Sequence, residues 1–302
     1  MTQRTFDVAP GITRIESILG PRPFAQYLLR DERALLVDTG VKETPAEVIL
    51  PALAGVEPDY VVITHADVDH FGGSAAIRDA APHAVFLAHE ADAPWIEDPA
   101  LIMRERYGWY DRFGVGYDAD TFSWLENAMG PPVPVDIRLR GGEKLRLGPA
   151  LSVEVIALPG HSPGHIGLWE PSSRSAIVID AVMANGLLDT GGTVVAPPPV
   201  VDARGYEQSV ALLARLEPER LLTAHYDVIE GAAVARFLED SLAFIERARA
   251  VVVAAIDSGR PVVLRELLAR ADEILGPFTS MPNELAATLR SLLAERGVEP
   301  VP

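Results

Sequence analysis

Residues 64–73 read T-H-A-D-V-D-H-F-G-G, and this stretch decides the prediction of the fold. It follows a run of four β-branched or aromatic residues at 60–63, which is typical of a buried strand. The stretch holds two histidines and two aspartates, whose side chains are ligands for divalent metal ions. The two glycines at its end permit close backbone approach where a helix begins. The sequence therefore predicts a metal site at the end of this strand.

Three later strand ends carry the same kinds of side chain. The stretch P-G-H-S-P-G-H occupies residues 159–165, Asp180 ends a strand that begins at residue 176, and His225 ends a strand at 220–224. In α/β proteins, ligands bind beyond the ends of the strands. We therefore expect side chains from four separate strand ends to meet at one site.

The rest of the chain alternates strand and helix patterns, which predicts an α/β architecture. Thr44 is the expected N-cap of the first helix, with Pro45 at its first helical position. Residues 95–130 hold three of the four tryptophans and are expected to form a helical insertion, and from about residue 231 only helical patterns remain. The predicted strands are 24–29, 34–37, 60–63, 84–87, 135–139, 144–147, 151–158, 176–179 and 220–224, the last strand; the predicted helices include 45–53, 73–80 and 206–216.

Composition narrows the class of protein. The chain has 302 residues, a formal net charge of -17 at pH 7 and no cysteine. Without cysteine there is no disulfide framework, thiolate nucleophile or Cys-ligated zinc. An acidic chain repels phosphate backbones, so nucleic acid is not an expected partner. The N-terminus lacks the apolar core of a signal peptide, and no apolar run reaches roughly 18 residues, so we expect a cytoplasmic protein without a membrane partner.

Taken together, these motifs resemble those of the metallo-β-lactamase fold superfamily, in particular its glyoxalase II and lactonase-like hydrolases. The family's first motif is T-H-x-H-x-D-H-x-G-G, which residues 64–73 match except at position 67. A later P-G-H-[ST]-x-G-H motif matches residues 159–165, and a strand-terminal Asp180 and a final His225 follow in the family's order.

The resemblance implies a fold and a division of the chain. The implied fold is a four-layer αβ/βα sandwich with a two-metal site at one edge and a C-terminal helical appendage. The implied domains are a catalytic domain at 1–230 and a helical region at 231–302. The helical region could be a winged-helix-like packing unit or a dimer contact, so a homodimer is one state that the sequence leaves open.

The resemblance also implies a ligand set and a reaction. A hydroxide shared by two divalent ions would attack a carbonyl, because metal-bound water loses a proton near neutral pH. Asp69 is the expected catalytic residue, since it could orient this nucleophile. The implied ligands are His65, Asp67 and His161 for metal one, Asp69, His70 and His225 for metal two, and Asp180 as a bridge between the two.

Asp67 departs from the family pattern, which has histidine there. Three carboxylates and a hydroxide would cancel the charge of two divalent ions, leaving roughly zero net charge where the usual pattern leaves about +1. An anionic oxygen ligand favours iron or manganese over zinc. Alternatively, Asp67 binds weakly and only metal two is tight, or the site is a metal-free relic.

Other polar residues near the motifs have expected supporting roles. Asp38 ends a strand and is expected to hydrogen-bond a ligating histidine, with a turn aspartate as the alternative. His165, four residues after His161, is expected to be structural or to support a ligand. His83 is expected at the surface, and His89 is expected to form a structural hydrogen bond.

The predicted function is metal-dependent hydrolysis of an ester, thioester or lactone. Glutathione thioesters are one candidate substrate, but no concentrated basic patch is evident, so we expect a small apolar or acyl molecule. The aromatic insertion at 95–130 is either core or a lid that recognises this molecule. The alternatives are a diiron redox or oxygen-using protein of the same fold, suggested by the carboxylate at position 67, a phosphodiesterase, or a non-catalytic binding protein.

Overall fold

A seven-stranded sheet forms the first half of the fold in this computed structural model, which describes residues 4–302. Its strands lie in chain order, antiparallel from the first to the fourth and parallel from the fourth to the seventh. They are β1 Arg4–Ala9, β2 Ile12–Leu19, β3 Arg22–Arg30, β4 Ala34–Val37, β5 Tyr60–Val62, β6 Val85–His89 and β7 Ile137–Leu139. The parallel pairing places the carboxyl ends of β4, β5 and β6 at one edge of the sheet.

The second half of the chain contributes a six-stranded sheet and a short hairpin. The strands are β8 Lys144–Arg146, β9 Ser152–Ala157, β10 Ile166–Glu170, β11 Ser175–Ile179, β12 Leu187–Leu188, β13 Val194–Ala196, β14 Arg220–Thr223 and β15 Ile229–Glu230. The sheet has the order β15-β14-β11-β10-β9-β8, and β12 pairs with β13 alone. The prediction that 220–224 is the last strand is wrong, because β15 turns back and pairs with β14 as an edge strand.

Helices connect the strands and cover the outer faces of both sheets. They are α1 Leu50–Leu53, α2 Val68–Phe71, α3 Ser74–Ala80, α4 Ala93–Glu97, α5 Pro99–Ile102, α6 Ala119–Ala128, α7 Ala203–Leu216, α8 Ala232–Asp257, α9 Leu264–Leu275 and α10 Leu285–Ala294, with π-helical turns at Pro45–Ile49 and Met103–Tyr107 and 3₁₀ turns at Gly108–Phe113 and Pro282–Glu284. Across residues 4–302, none of the helices has both the length and the apolar content that crossing a membrane requires.

The predicted helix at 45–53 is present, but Thr44 does not cap it. Thr44 already has helical backbone angles, φ −54° and ψ −40°, and its side chain makes no capping hydrogen bond. The side chain instead lies against Gly40, whose φ of 73° is in the left-handed region that favours glycine. The prediction therefore failed at the cap because a packing contact takes the place of the hydrogen bond.

Apolar residues along the inner strands alternate between two cores. In β4, Leu35 and Val37 face the layer between the sheets, and Leu36 faces the helices outside. In β11, Ile177 faces the central layer and Val178 faces the helices on the other side. Both faces of these strands are therefore buried, as continuous apolar runs indicate. Three apolar layers separate helices, sheet, sheet and helices, which confirms the predicted four-layer sandwich.

The helices after β15 pack on the outer face of the second sheet. Phe244 of α8 and Leu289 of α10 belong to the same apolar cluster as Val178 and Leu221 of the sheet. The predicted C-terminal helical appendage is confirmed. The division of the chain into two domains near residue 230 stays a prediction.

Arg14, on β2, ties the first sheet to the loop after β14. It is fully buried, and its guanidinium donates to Glu16 Oε1 at 2.8 Å, to the carbonyl oxygens of Thr223 at 3.0 Å and Tyr226 at 2.6 Å, and to the Tyr27 hydroxyl. The Tyr27 hydroxyl in turn donates to the Thr223 carbonyl at 2.7 Å. These contacts fix the loop that carries the last predicted metal ligand.

We predict that Arg14→Met lowers the free energy of unfolding by about 3 kcal/mol, because it leaves buried acceptors without donors. Urea denaturation measures this change. Arg4→Met is the matched control, since Arg4 pairs with the same Glu16 but has a side chain that is 64% exposed. The control should lose less than about 1 kcal/mol. Equal losses for the two variants would contradict the role given to the buried guanidinium.

Candidate metal centre

Four loops meet at one edge of the sandwich and bring together all seven side chains that the sequence predicts as metal ligands. The loops follow β5, β9, β11 and β14. Six of the side chains form two groups whose ligand atoms lie within 4.8 Å of one another: His65, His161 and Asp180 in one, and Asp69, His70 and His225 in the other. Asp67 lies beside the first group, with Oδ2 3.0 Å from His161 Nε2 and 3.9 Å from His65 Nε2. Metal binding by these residues stays a prediction.

Backbone carbonyls fix the protonation of two of the histidines. His161 Nδ1 lies 3.0 Å from the Pro199 carbonyl oxygen, and His225 Nδ1 lies 2.9 Å from that of Pro23. A carbonyl oxygen only accepts, so Nδ1 carries the proton and donates in both cases. The neutral ring then presents its Nε2 lone pair to the centre, as a metal ligand must.

Asp38 orients the other two histidines through one carboxylate. Its Oδ2 accepts from His70 Nδ1 at 2.9 Å and from the Thr64 hydroxyl at 2.9 Å, and its Oδ1 accepts from the Thr64 backbone N–H at 2.8 Å. The Thr64 oxygen lies 3.1 Å from His65 Nδ1 and can accept its proton. Asp38 has a left-handed φ of 61°, a conformation that aspartate tolerates. It therefore supports one histidine in each group, as the sequence predicts.

The inward-facing ring nitrogens fit a bound cation. Nε2 of His65 and Nε2 of His70 are buried without a hydrogen-bond partner. His70 Nε2 is only 3.1 Å from Asp180 Oδ2, yet the angle is wrong for a hydrogen bond. Lone pairs and carboxylates that converge on a common point are satisfied by a metal ion and not by one another. Imidazole nitrogens and carboxylate oxygens are suitable ligands for zinc, iron or manganese.

Asp180 lies between the two groups. Its Oδ2 is 3.1 Å from His70 Nε2, 3.4 Å from His225 Nε2 and 3.9 Å from His65 Nε2. Burial alone would raise the pKa of Asp180, but His225 and His70 hold it well below its usual range. The preceding Ile179 has a φ of 50° beside a register shift between β11 and β14. A β-branched residue is strained at this φ, and the strained backbone directs Asp180 into the centre.

Asp67 forms a bidentate ion pair that the sequence does not reveal. Arg106 Nε donates to Oδ1 at 3.0 Å and Nη2 donates to Oδ2 at 3.2 Å, and the Tyr107 hydroxyl lies 3.3 Å from Oδ1. Burial acts to raise the pKa of Asp67, but the positive charge of Arg106 and the neighbouring His161 hold it well below its usual range. The charge count for position 67 omits this guanidinium, which places a positive charge beside Asp67 and offsets it.

The C-terminal region reaches this ion pair. Glu284, beside the start of α10, accepts from Arg106 Nη1 at 3.2 Å, from the Tyr110 hydroxyl at 2.7 Å and from the Tyr117 hydroxyl. Burial raises the pKa of Glu284. Although burial acts to lower the pKa of Arg106, the charges of Asp67 and Glu284 hold it above its usual range. The guanidinium is thus fixed from two sides.

Asp92, which sequence reasoning missed, joins two of the ligand loops. Its Oδ2 accepts from the Ala66 N–H at 2.9 Å and the Ser162 hydroxyl at 2.6 Å, and its Oδ1 accepts from the Gly164 N–H at 2.6 Å. Asp92 comes three residues after β6, at the sheet edge where the ligands gather. Its position after a strand end is the signal that could have found it.

The other histidines lie outside both ligand groups. His165 is buried and stacks on His65, with ring centroids 4.6 Å apart and an interplanar angle of 17°. His89 Nδ1 accepts from the Ala91 N–H at 3.1 Å. His83 is exposed, 3.5 Å from Glu57. The supporting roles expected for these residues agree with their positions.

A narrow pocket of about 50 Å³ opens onto the centre. The aromatic insertion contributes residues both to the core and to the wall of this pocket, and substrate recognition by it stays a prediction. Tyr110 and Phe113 are buried core residues, whereas Trp124 is 40% exposed and lines the pocket. The remaining apolar lining consists of Val68, Leu125, Met183, Leu187, Ala196, Pro197, Pro199 and Met281.

Comparison with known proteins places the chain in a family. The sequence model of the metallo-beta-lactamase superfamily matches residues 19–225, which include all seven predicted ligands. A similar structure is a metallo-beta-lactamase family protein from Thermus thermophilus, with a TM-score of 0.72 and 18% sequence identity over 96% of this chain and 95% of that one.

Two curated relatives extend this similarity. The "Probable metallo-hydrolase YflN" of Bacillus subtilis (strain 168) is 25% identical over 73% of this chain and 85% of its own length. A hydroxyacylglutathione hydrolase of Ruegeria pomeroyi is 25% identical over 85% of this chain and 94% of its own length. With the family match spanning more than half of the sequence, the chain belongs to the metallo-beta-lactamase superfamily.

Proposed function

We propose that the protein is a metal-dependent hydrolase that cleaves an ester, thioester or lactone bond. The observation that carries this proposal is the convergence of histidine Nε2 atoms, oriented by hydrogen bonds at Nδ1, with carboxylates on one edge of the sandwich. The similarity to a hydroxyacylglutathione hydrolase supports an acyl substrate, and a thioester in particular.

The proposed roles follow the two ligand groups. His65, Asp67 and His161 would hold one divalent ion, Asp69, His70 and His225 would hold the second, and Asp180 would contribute to both. Bound ions would lower the pKa of water towards neutrality and polarise a carbonyl. The Asp69 side chain is 15% exposed, with its oxygens 3.7 Å from His70 Nε2 and 3.7 Å from His225 Nε2. It keeps one face towards the pocket, where it orients the attacking nucleophile.

The Asp67–Arg106 pair bears on the identity of the metal. An unpaired carboxylate would favour iron or manganese, but a carboxylate whose charge is cancelled by a guanidinium resembles a neutral ligand. We therefore favour zinc. The diiron redox alternative was suggested by the carboxylate at position 67, and the pairing of this carboxylate with Arg106 removes that argument. A phosphodiesterase and a non-catalytic binding protein are separated from the proposed hydrolase by the first experiment below.

We predict that zinc-loaded protein releases acid from at least one member of a panel of lactones, aryl esters, alkyl esters and glutathione thioesters, and that Asp180→Ala abolishes this release. Loss of the bridging ligand should cost more than the roughly 10–100-fold loss that follows removal of a supporting residue. Asp79→Ala, which removes an exposed aspartate from α3, is the control and should retain the activity.

A phosphodiester and a β-lactam complete the panel. Release from the phosphodiester alone would establish the phosphodiesterase alternative. A protein that holds metal and hydrolyses none of the compounds would contradict the proposed activity and favour a binding role.

We predict that Asp67→Ala reduces the metal content from about two ions per chain to about one, because metal one loses a ligand. Elemental analysis of purified protein measures this content. Asp67→Ala also leaves Arg106 without one of its two carboxylate partners, which by itself destabilises the fold. The double variant Asp67→Ala/Arg106→Met removes that charge and isolates the loss of the ligand. About two ions in the double variant would show that Asp67 only pairs with Arg106.

A further inference from the structure

Arg22 is a buried cation without a partner in the wall of the metal pocket. It is the first residue of β3, directly after the turn at Gly20, and only 8% of it is exposed. It lines the same pocket as Asp69 and His161. Over the described residues 4–302, its side chain has neither a hydrogen bond nor a salt bridge.

The other buried arginines of the described chain are saturated. Arg14 donates to a carboxylate, a hydroxyl and two carbonyl oxygens. Arg106 lies between the carboxylates of Asp67 and Glu284. The same fold therefore pairs two buried guanidinium groups with several acceptors each and leaves Arg22, which lines the pocket, with none.

A buried charge is unfavourable unless it is paired and hydrogen-bonded. The carboxylates of the pocket are already engaged. Asp67 and Glu284 accept from Arg106, and Asp69 and Asp180 belong to the two proposed ligand groups. The side chains of the pocket therefore leave Arg22 available to an anion of a bound molecule.

The shape of the pocket limits that molecule. Its free volume is about 50 Å³. One part of the wall carries the candidate ligands and Arg22, and the other part is apolar, with Leu187 and Ala196 of the hairpin of β12 and β13 beside methionine, proline and tryptophan side chains. A compact anion on a short apolar chain fits such a space. A guanidinium presents two parallel donors that match the two oxygens of a carboxylate.

We propose that Arg22 binds a carboxylate on the acyl part of the substrate, so that the substrate is an ester or thioester of a short acid carrying a second, free carboxylate. This proposal rests on the proposed hydrolase function. It keeps the acyl part of the expected apolar or acyl molecule, but it replaces the neutral substrate that the lack of a basic patch favoured with an anionic one. One guanidinium in a narrow pocket interacts with an anion more strongly than an exposed charge does, because the effective dielectric constant is lower there.

The test compares two substrates on zinc-loaded protein: the phenyl thioester of glutaric acid and the same thioester with its free acid methylated. Arg22→Met should lower kcat/KM for the free acid by about 10- to 150-fold, mainly through KM, since a charged hydrogen bond is lost. The loss for the methylated compound should be at least about tenfold smaller. Arg22→Lys should restore part of the difference. Arg4→Met removes an exposed positive charge and should leave the ratio of the two substrates unchanged.

Calorimetric binding of glutarate to the same zinc-loaded proteins tests Arg22 independently of turnover. Arg22→Met should weaken this binding by the same factor. If Arg22→Met does not fold, Arg22→Gln is measured in its place. If neither thioester is hydrolysed but glutarate binding still depends on Arg22, the hydrolase proposal fails and the carboxylate site stands. Equal losses of kcat/KM for both thioesters, or a glutarate affinity that is unchanged in Arg22→Met, would overturn the proposal. Tighter Arg22-dependent binding of butyl phosphate or butyl sulfate would overturn the choice of a carboxylate.

Discussion

The geometry of the metal centre depends on the hydrogen bonds that the carboxylate of Asp38 accepts. Through one oxygen and the Thr64 hydroxyl it fixes His65 and His70, which belong to different ligand groups. Because β4 and β5 are parallel neighbours, the end of one strand delivers Asp38 beside the loop that follows the other. The spacing of the two groups is thus set by backbone pairing in the sheet, which is more rigid than any surface loop could be.

Local patterns predict the α/β architecture and the gathering of ligand types at strand ends, and the resemblance to a family implies the four-layer sandwich and the set of seven side chains. Apolar runs predict buried strands, and short motifs at strand ends place the ligand types at one edge. Arg106, Glu284 and Arg22 could not be predicted in this way. Arg106 pairs with a residue 39 positions away and Glu284 with one 178 positions away, and neither interaction leaves a periodic signature in one sequence. The Thr44 cap failed for the opposite reason, since a strong local signal was overridden by packing against Gly40.

The ion pair between Asp67 and Arg106 changes the effect of having aspartate in place of histidine at position 67. Aspartate in place of histidine changes both charge and ligand chemistry when it is considered alone. With Arg106 beside it, the charge of the pair is that of a neutral imidazole, and the carboxylate keeps an oxygen 3.0 Å from His161 Nε2. The relevant unit is therefore the pair, and its second member lies on the helical insertion, outside any family motif.

The contact between Glu284 and Arg106 has a consequence for how this chain can be rebuilt. Glu284 belongs to the C-terminal helices, Arg106 and Tyr110 to the insertion, and Asp67 to the first motif. Three segments that are far apart in sequence are thus joined into one electrostatic unit beside the centre. A chimera that grafts the C-terminal helices of a relative onto this sandwich would remove the Glu284 carboxylate from beside the candidate metal centre unless the graft carried an acid at the same place. The appendage and the insertion must be exchanged together.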